Sequence, residues 1–154
     1  MSRLTTLALA LTALSAAAGL CPSGWKLFGN MCYWSADYGV RWEDVTNICG
    51  SILTGADMVS IHDLDLNAFI AQDLLQGREA WLGARRESDS APFRWTDGSP
   101  FDFSLWYGGD PDHDGEACAS INWKYANPGD WTGHACDRSD SVVNVTYVCR
   151  VAAS

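Results

Sequence analysis

The sequence predicts an α+β domain closed by disulfides, on three observations. Apolar residues recur at helical spacing in two early segments, between positions 42 and 75. The later part carries short apolar or alternating runs separated by Gly, Asp and Pro, as strands and turns do. All six cysteines lie after position 18, and an even set behind an export-type leader is expected to pair fully. Helices gathered ahead of a strand-rich half indicate α+β rather than alternating βα units.

The chain opens with a targeting segment. Arg3 precedes an apolar run over 4–14, and Ser15-Ala16-Ala17-Ala18 supplies small residues suited to cleavage after Ala18. The run is too short to span a bilayer comfortably. Residues 1–18 are therefore expected to be a signal peptide, and residues 19–154 one soluble, secreted domain of about 135 residues.

Within that domain, Cys21-Pro22-Ser23-Gly24-Trp25 begins with turn residues. Residues 25–28 and 31–34 flank Gly29-Asn30, a hairpin signal that a Cys21–Cys32 bridge would close locally. Trp42, Val45, Ile48, Cys49 and Ile52 share one helical face, with Glu43, Asp44 and Asn47 between them. Residues 58–61 read as a short strand. Asp63 or Asp65 suits the cap of a second helix, whose apolar face is Leu66, Phe69, Ile70, Leu74 and Leu75 and which Gly77 stops. Residues 80–84 and 93–95 read as core strands. From Thr96-Asp97-Gly98-Ser99-Pro100 to Asp114 the chain is rich in Gly, Asp and aromatics and has no period, and so long a loop in a compact domain is usually functional. Residues 117–123 and 142–148 alternate as strands do, whereas Gly129-Asp130-Trp131 reads as a loop.

The formal charge of −9 repels phosphate backbones and anionic surfaces, so neither nucleic acid nor a membrane surface is an expected partner. Acidity is compatible with calcium, although it serves solubility in most acidic secreted proteins. The acidic residues cluster in Asp110-Pro111-Asp112-His113-Asp114-Gly115-Glu116, which runs into Cys118, while Gly129-Asp130-Trp131 leads to Cys136. Carboxylates on a loop stapled by cysteines suit a hard cation or a polyol. An EF-hand is excluded, because its closing glutamate would fall on Ile121 and no helix pair flanks the loop. His62, His113 and His134 lack the spacing of a zinc site. No Ser, Cys or Lys sits in a nucleophile motif, and Asp112 with Glu116 lacks the opposing face of a glycosidase pair, so no enzyme is expected.

Taken in order, the motifs are Cys21-Pro22-Ser23-Gly24-Trp25, a Trp42-Glu43-Asp44 helix ending in Cys49, Trp81-Leu82-Gly83, Phe93-Arg94-Trp95 with Asp97-Gly98-Ser99-Pro100, Trp106, the acidic loop, Gly115-Glu116-Ala117-Cys118, Trp131 with Cys136, and Tyr147-Val148-Cys149. This order resembles a long-form C-type lectin domain across essentially all of residues 19–154. The resemblance implies two helices packed on antiparallel sheets, a long loop region, and the bridges Cys21–Cys32, Cys49–Cys149 and Cys118–Cys136. It also implies a calcium ion that holds the long loop and ligates sugar hydroxyls. Asp110-Pro111-Asp112 stands at the family's ligand triplet and Glu116 at its glutamate, so Asp110, Asp112 and Glu116 are the implied metal ligands. Thr132-Gly133 stands where the family has an Asn-Asp pair, and these five residues form the implied carbohydrate site. The Thr132 hydroxyl, Asp114, Asp130 and Asp137 are available to compensate. Arg86 and Ser90 fall where a second calcium site would need acids.

By the same resemblance, a trailing Asp112 leans towards galactose-type ligands, with Trp106, Tyr107 or Trp131 as stacking candidates and packing the preferred role for the two tryptophans. The expected function is therefore a secreted, calcium-dependent lectin for glycans or glycoproteins, with an immune or mucosal role by resemblance. The alternative is a calcium-independent module that binds protein, lipid or another surface through the long loop. Asn144-Val145-Thr146 is a glycosylation sequon, facing outward if Val143, Val145 and Tyr147 face inward. With no neck helix or coiled coil, a multimer would form through domain surfaces or swapped loops.

Overall fold

The computed structural model describes residues 19–109, 111, 114–137 and 145–154. The hairpin is present: β1 (Lys26–Phe28) pairs with β2 (Met31–Ser35) through a turn in which Gly29 takes φ 59°, a conformation open to glycine. The first helix, α1 (Trp42–Ile52), buries Trp42, Val45 and Cys49. The Trp42 indole donates to the Leu82 carbonyl at 2.7 Å, which fixes the helix start against the sheet. Beyond it lies β3 (Asp57–Met58), shorter than the strand expected at 58–61. The reason is that Val59 donates to Val148 while its carbonyl accepts from Gly83, so the chain here bridges two strands rather than extending along one.

The second helix starts as α2 (Leu64–Ala68), where the Asp63 carboxylate accepts from the Leu66 N–H at 2.7 Å. It continues as a π-helical stretch over Phe69–Leu74, with the Leu75 N–H reaching back to the Ile70 carbonyl. The wider turn keeps Ile70, Ala71, Leu74 and Leu75 inside. Gly77, at φ 80°, ends it.

Five more strands complete the sheet: β4 (Ala80–Arg86), β5 (Arg94–Trp95), β6 (Ala117–Ile121), β7 (Trp131–His134) and β8 (Thr146–Ala152). The order is β1-β2-β8-β4-β6-β7, with β3 added to β8 and β5 to β4. The pairs are antiparallel except β4 with β8, which run parallel with Trp81 opposite Tyr147. That central position corrects one expectation. Alternation along 142–148 does not hold where the chain is described, because Thr146 is as buried as Val145 and Tyr147. Its hydroxyl is satisfied by the Ala36 carbonyl at 2.7 Å, and a strand covered on both faces carries no polar side. Asn144 and its sequon lie outside the described residues. Trp131 opens a strand rather than sitting in a loop. The three disulfides join Cys21 to Cys32, Cys49 to Cys149 and Cys118 to Cys136.

The long segment after β5 has few ladder bonds and hangs on Trp131. Phe101, Phe103 and Trp106 meet that ring edge-on, with centroids 6.3, 5.7 and 5.6 Å away, and the Trp131 N–H donates to the Leu105 carbonyl at 2.7 Å. The indole N–H donates to Asn67 Oδ1 at 2.7 Å, and the Asn67 amide donates in turn to the Gly129 carbonyl at 2.9 Å. A helix side chain thus joins the long loop's anchor to the turn before β7. Trp131→Ala is expected to lose about 3–5 kcal/mol of stability, and Asn67→Ala about 2 kcal/mol, because the latter orphans a buried donor. Urea unfolding with disulfides intact measures both; a loss below about 1 kcal/mol for Trp131→Ala would mean the loop is held elsewhere.

Candidate functional site

Three of the five implied sugar-site residues are described, and Asp110 and Asp112 lie outside the described residues. Glu116 stands just before β6. Its carboxylate, 44% exposed, points Oε1 at Arg85 Nη2, 2.7 Å away. Arg85 reaches it because the β4–β6 register sets Arg85 opposite Cys118. Thr132 is buried in β7 directly across from Ser120. Its hydroxyl lies 3.1 Å from Ser120 Oγ and 2.8 Å from His134 Nε2. The Ser120 hydroxyl also lies 3.0 Å from Glu79 Oε1, to which it donates, and His134 stands 3.6 Å from the same oxygen. Thr132 therefore stitches β6 to β7 through a shared polar network. Gly133 pairs with Ala119 and brings no side-chain oxygen.

Calcium takes about six to eight hard oxygen ligands on converging groups. Here the carboxylate faces a guanidinium, the hydroxyl serves a strand pair, and the glycine adds no ligand side chain. These residues do not fit a calcium ion as arranged. Among the described residues no group of three or more His, Cys, Asp or Glu side chains is placed to hold a metal.

Of the compensating acids, Asp114 and Asp137 line a cavity of about 320 Å³ together with Glu116, Glu43, Ala135 and Cys136. Asp130 does not; its carboxylate accepts from the Asn127 amide at 2.8 Å. Glu43 is the member that sequence reasoning left on the polar face of α1. Of the three aromatic candidates, Trp131 is wholly buried and Trp106 packs on Phe93 at 4.7 Å, whereas Tyr107 is 39% exposed and has a ring to offer.

A second grouping was invisible in the sequence. His62 Nδ1 lies 2.7 Å from Asp102 Oδ1, and His62 Nε2 lies 3.1 Å from Ser99 Oγ and 3.2 Å from Ser60 Oγ. These are the residue types of a nucleophilic triad. Both hydroxyls, however, donate to Asp97, so neither proton is directed at the imidazole. Asp97 also accepts from Arg150, and the cluster ties the turn after β5 to β8. Burial opposes the Asp97 charge, but the hydrogen bonds from Ser60 and Ser99 and the Arg150 guanidinium outweigh it and hold the carboxyl below its usual value.

A carboxyl depressed in the folded state stabilises fully above its unfolded value, here near 3.8, and loses that contribution as pH falls through the lower folded value. The melting midpoint is expected to fall on acidification below about pH 4, and Asp97→Asn should flatten that part of the profile. Calorimetry of both proteins checks it; parallel profiles would remove Asp97 from the acid response.

Comparison with known proteins gives a consistent picture. A family model described as "Lectin C-type domain" matches residues 38–150. Lectin BRA-3 of Megabalanus rosa is 26% identical over 149 residues, covering 95% of this chain and 88% of that protein. A calcium-independent type II antifreeze protein superposes with a TM-score of 0.74 at 25% identity, over 90% of this chain and 99% of the other. The cow C-type carbohydrate-recognition domain of CD23, solved in the presence of a GlcNAc2Man3 oligosaccharide, gives 0.73 at 25% identity, over 88% and 98%.

Proposed function

Since this chain belongs to the C-type lectin domain family, we propose that it is a secreted glycan-binding protein whose long-loop end recognises sugar hydroxyls without depending on calcium at Glu116, Thr132 and Gly133. The observation that carries this is the prior commitment of those residues, Glu116 to Arg85 and Thr132 to Ser120 and His134. A calcium-independent protein on the same scaffold supports it, as does a carbohydrate-recognition domain solved with an oligosaccharide. Secretion rests on the leader-like residues 1–18. No helix among the described residues is long and apolar enough to cross a membrane. The domain binds rather than catalyses.

In this reading the carboxylates of Asp114, Glu116 and Asp137 accept hydrogen bonds from sugar hydroxyls, and Tyr107 offers its ring to an apolar sugar face. Asp110 and Asp112 complete the carbohydrate site, and the Asp112 lean makes galactose-type glycans the first to try. Asn144 is a glycan acceptor on the same proposed secreted protein.

The acidic cavity favours a second reading, in which Glu116 leaves Arg85 and joins Asp114 and Asp137 around calcium. The exposed ion pair resists that exchange by no more than about 1 kcal/mol.

Retention of residues 19–154 on immobilised galactose and mannose, in millimolar calcium and in EDTA, separates the two, with thermal unfolding run alongside. The expected result is galactose retention in both buffers and an unchanged midpoint. Retention lost in EDTA, with a calcium-induced rise of about 5 °C, would establish the calcium-dependent reading instead. Failure to retain on any glycan would shift the function to a protein or surface ligand. Glu116→Gln should weaken galactose retention several-fold while leaving the fold intact.

A further inference from the structure

Besides Asn144, two asparagines stand two residues before a side chain with a hydrogen to share. Asn30-Met31-Cys32 and Asn47-Ile48-Cys49 have the spacing of a glycosylation sequon, with Cys in the place of Ser or Thr. In a sequon, the hydroxyl two residues after the acceptor is what the transferase reads. A thiol offers a weaker donor at the same place, and only while it is reduced. Both cysteines end in disulfides, Cys32 with Cys21 and Cys49 with Cys149. The usable sequon is therefore the one whose thiol stays open longer during synthesis.

The two bridges differ in when their partners become available. Cys21 precedes Cys32 by 11 residues, so it is already in the exported chain when Cys32 arrives. Cys149 follows Cys49 by 100 residues. At about 5–20 residues per second, synthesis leaves Cys49 without its partner for roughly 5–20 s. No cysteine lies between Cys49 and Cys118, so once Cys21 and Cys32 have joined, no nearby thiol competes for it. The folded helix also has room for a glycan. Positions two apart on a helix do not share a face. Cys49 is wholly buried, whereas Asn47 is exposed on α1 beside exposed Glu43, Thr46, Gly50 and Ser51. A sugar on Asn47 Nδ2 thus projects into solvent without disturbing the bridge to β8. After folding, the Cys49 sulfur is both oxidised and inaccessible, so attachment has to precede closure of the bridge.

We propose that Asn47 is an N-glycan acceptor, modified during export before Cys49 meets Cys149, and that the early Cys21–Cys32 bridge closes Asn30 to the same reaction. The donor is a lipid-linked oligosaccharide pyrophosphate. Asn47 Nδ2 bonds to the anomeric carbon of the first sugar, and the bond from that carbon to the pyrophosphate oxygen breaks. The lipid pyrophosphate leaves with the electron pair, and the amide gives up one proton, so the step involves no oxidation or reduction. The assignment rests on the secretion reading, because only an exported chain meets that donor.

The test expresses the full chain with Asn144→Gln, which removes the Thr sequon, in cultured animal cells. Peptides are mapped by mass spectrometry after enzymatic glycan release in heavy-oxygen water, which marks each formerly glycosylated asparagine, against an untreated control. The expected result is a mark on Asn47 in part of the secreted protein, several-fold more often than on Asn30, and loss of the glycosylated band in Asn47→Gln. Cys149→Ser keeps Cys49 reduced throughout synthesis and should raise occupancy at Asn47, read in whole-cell lysates so that chains held back for misfolding are counted. Cys21→Ser, read the same way, should open Asn30. No mark on Asn47 in the Asn144→Gln chain would overturn the site. Occupancy at Asn30 matching that at Asn47, or no rise at Asn47 in Cys149→Ser, would overturn the timing that selects it. A chain that stays in the cytosol would count against the secretion reading instead, and the same chain behind an unrelated export leader then tests Asn47 by itself.

Discussion

The architecture depends on one buried ring. Trp131 sits at the start of β7 with no exposed surface, and the long segment after β5 is secured to it by three aromatic edges and a backbone hydrogen bond. A segment with few ladder bonds has to be fixed by side chains or remain unfixed. Here the rings do it, because edge-to-face contacts add directionality to the burial of large apolar area. Asn67 then makes the indole's only polar atom part of the frame, linking the second helix to the turn before β7. With that anchor and the Cys118–Cys136 bridge in place, Glu116, Asp114 and Asp137 are held around one cavity despite their mutual repulsion.

Arg85 is the electrostatic pivot of that end of the molecule. It pairs with Glu116 and lies 5.9 Å from the centroid of the Trp42 ring, so the same guanidinium tempers the acidic site and packs on the first helix. The β4–β6 register, which sets Arg85 opposite Cys118, brings it beside Glu116. Where a calcium-centred site would spend its Asn-Asp pair on metal, this chain has Thr132 serving a polar network with Ser120, Glu79 and His134 and Gly133 completing a strand. Those substitutions are consistent with a stable β6–β7 pair first and a ligand surface second.

The His62 cluster shows how residue types can mislead without proton directions. Asp102, His62 and two serines lie at hydrogen-bonding distances, yet both hydroxyl protons are drawn to Asp97, which Arg150 also holds. The same atoms that could have activated a nucleophile instead knit the turn after β5 to the last strand. The network holds Asp97 by hydrogen bonds from Ser60, Ser99 and Arg150.

The sequence by itself determined the apolar faces of both helices, the hairpin, the Asp63 cap and the cysteine set, because periodicity and turn chemistry act within a few residues of one another. The ordered motifs carried the family resemblance and with it the three pairings. Only the tertiary structure decided that Trp131 begins a strand, that Thr146 is buried as deeply as its neighbours, that the second helix widens into a π turn, that Glu116 meets Arg85, and that Arg85 faces Arg94. Apart from the π turn, which is set within the helix, each of these depends on register between segments far apart in the chain or on burial from both faces of a central strand. Local pattern carries no information about such pairings, since a shift of one residue would send every one of these side chains to the opposite face.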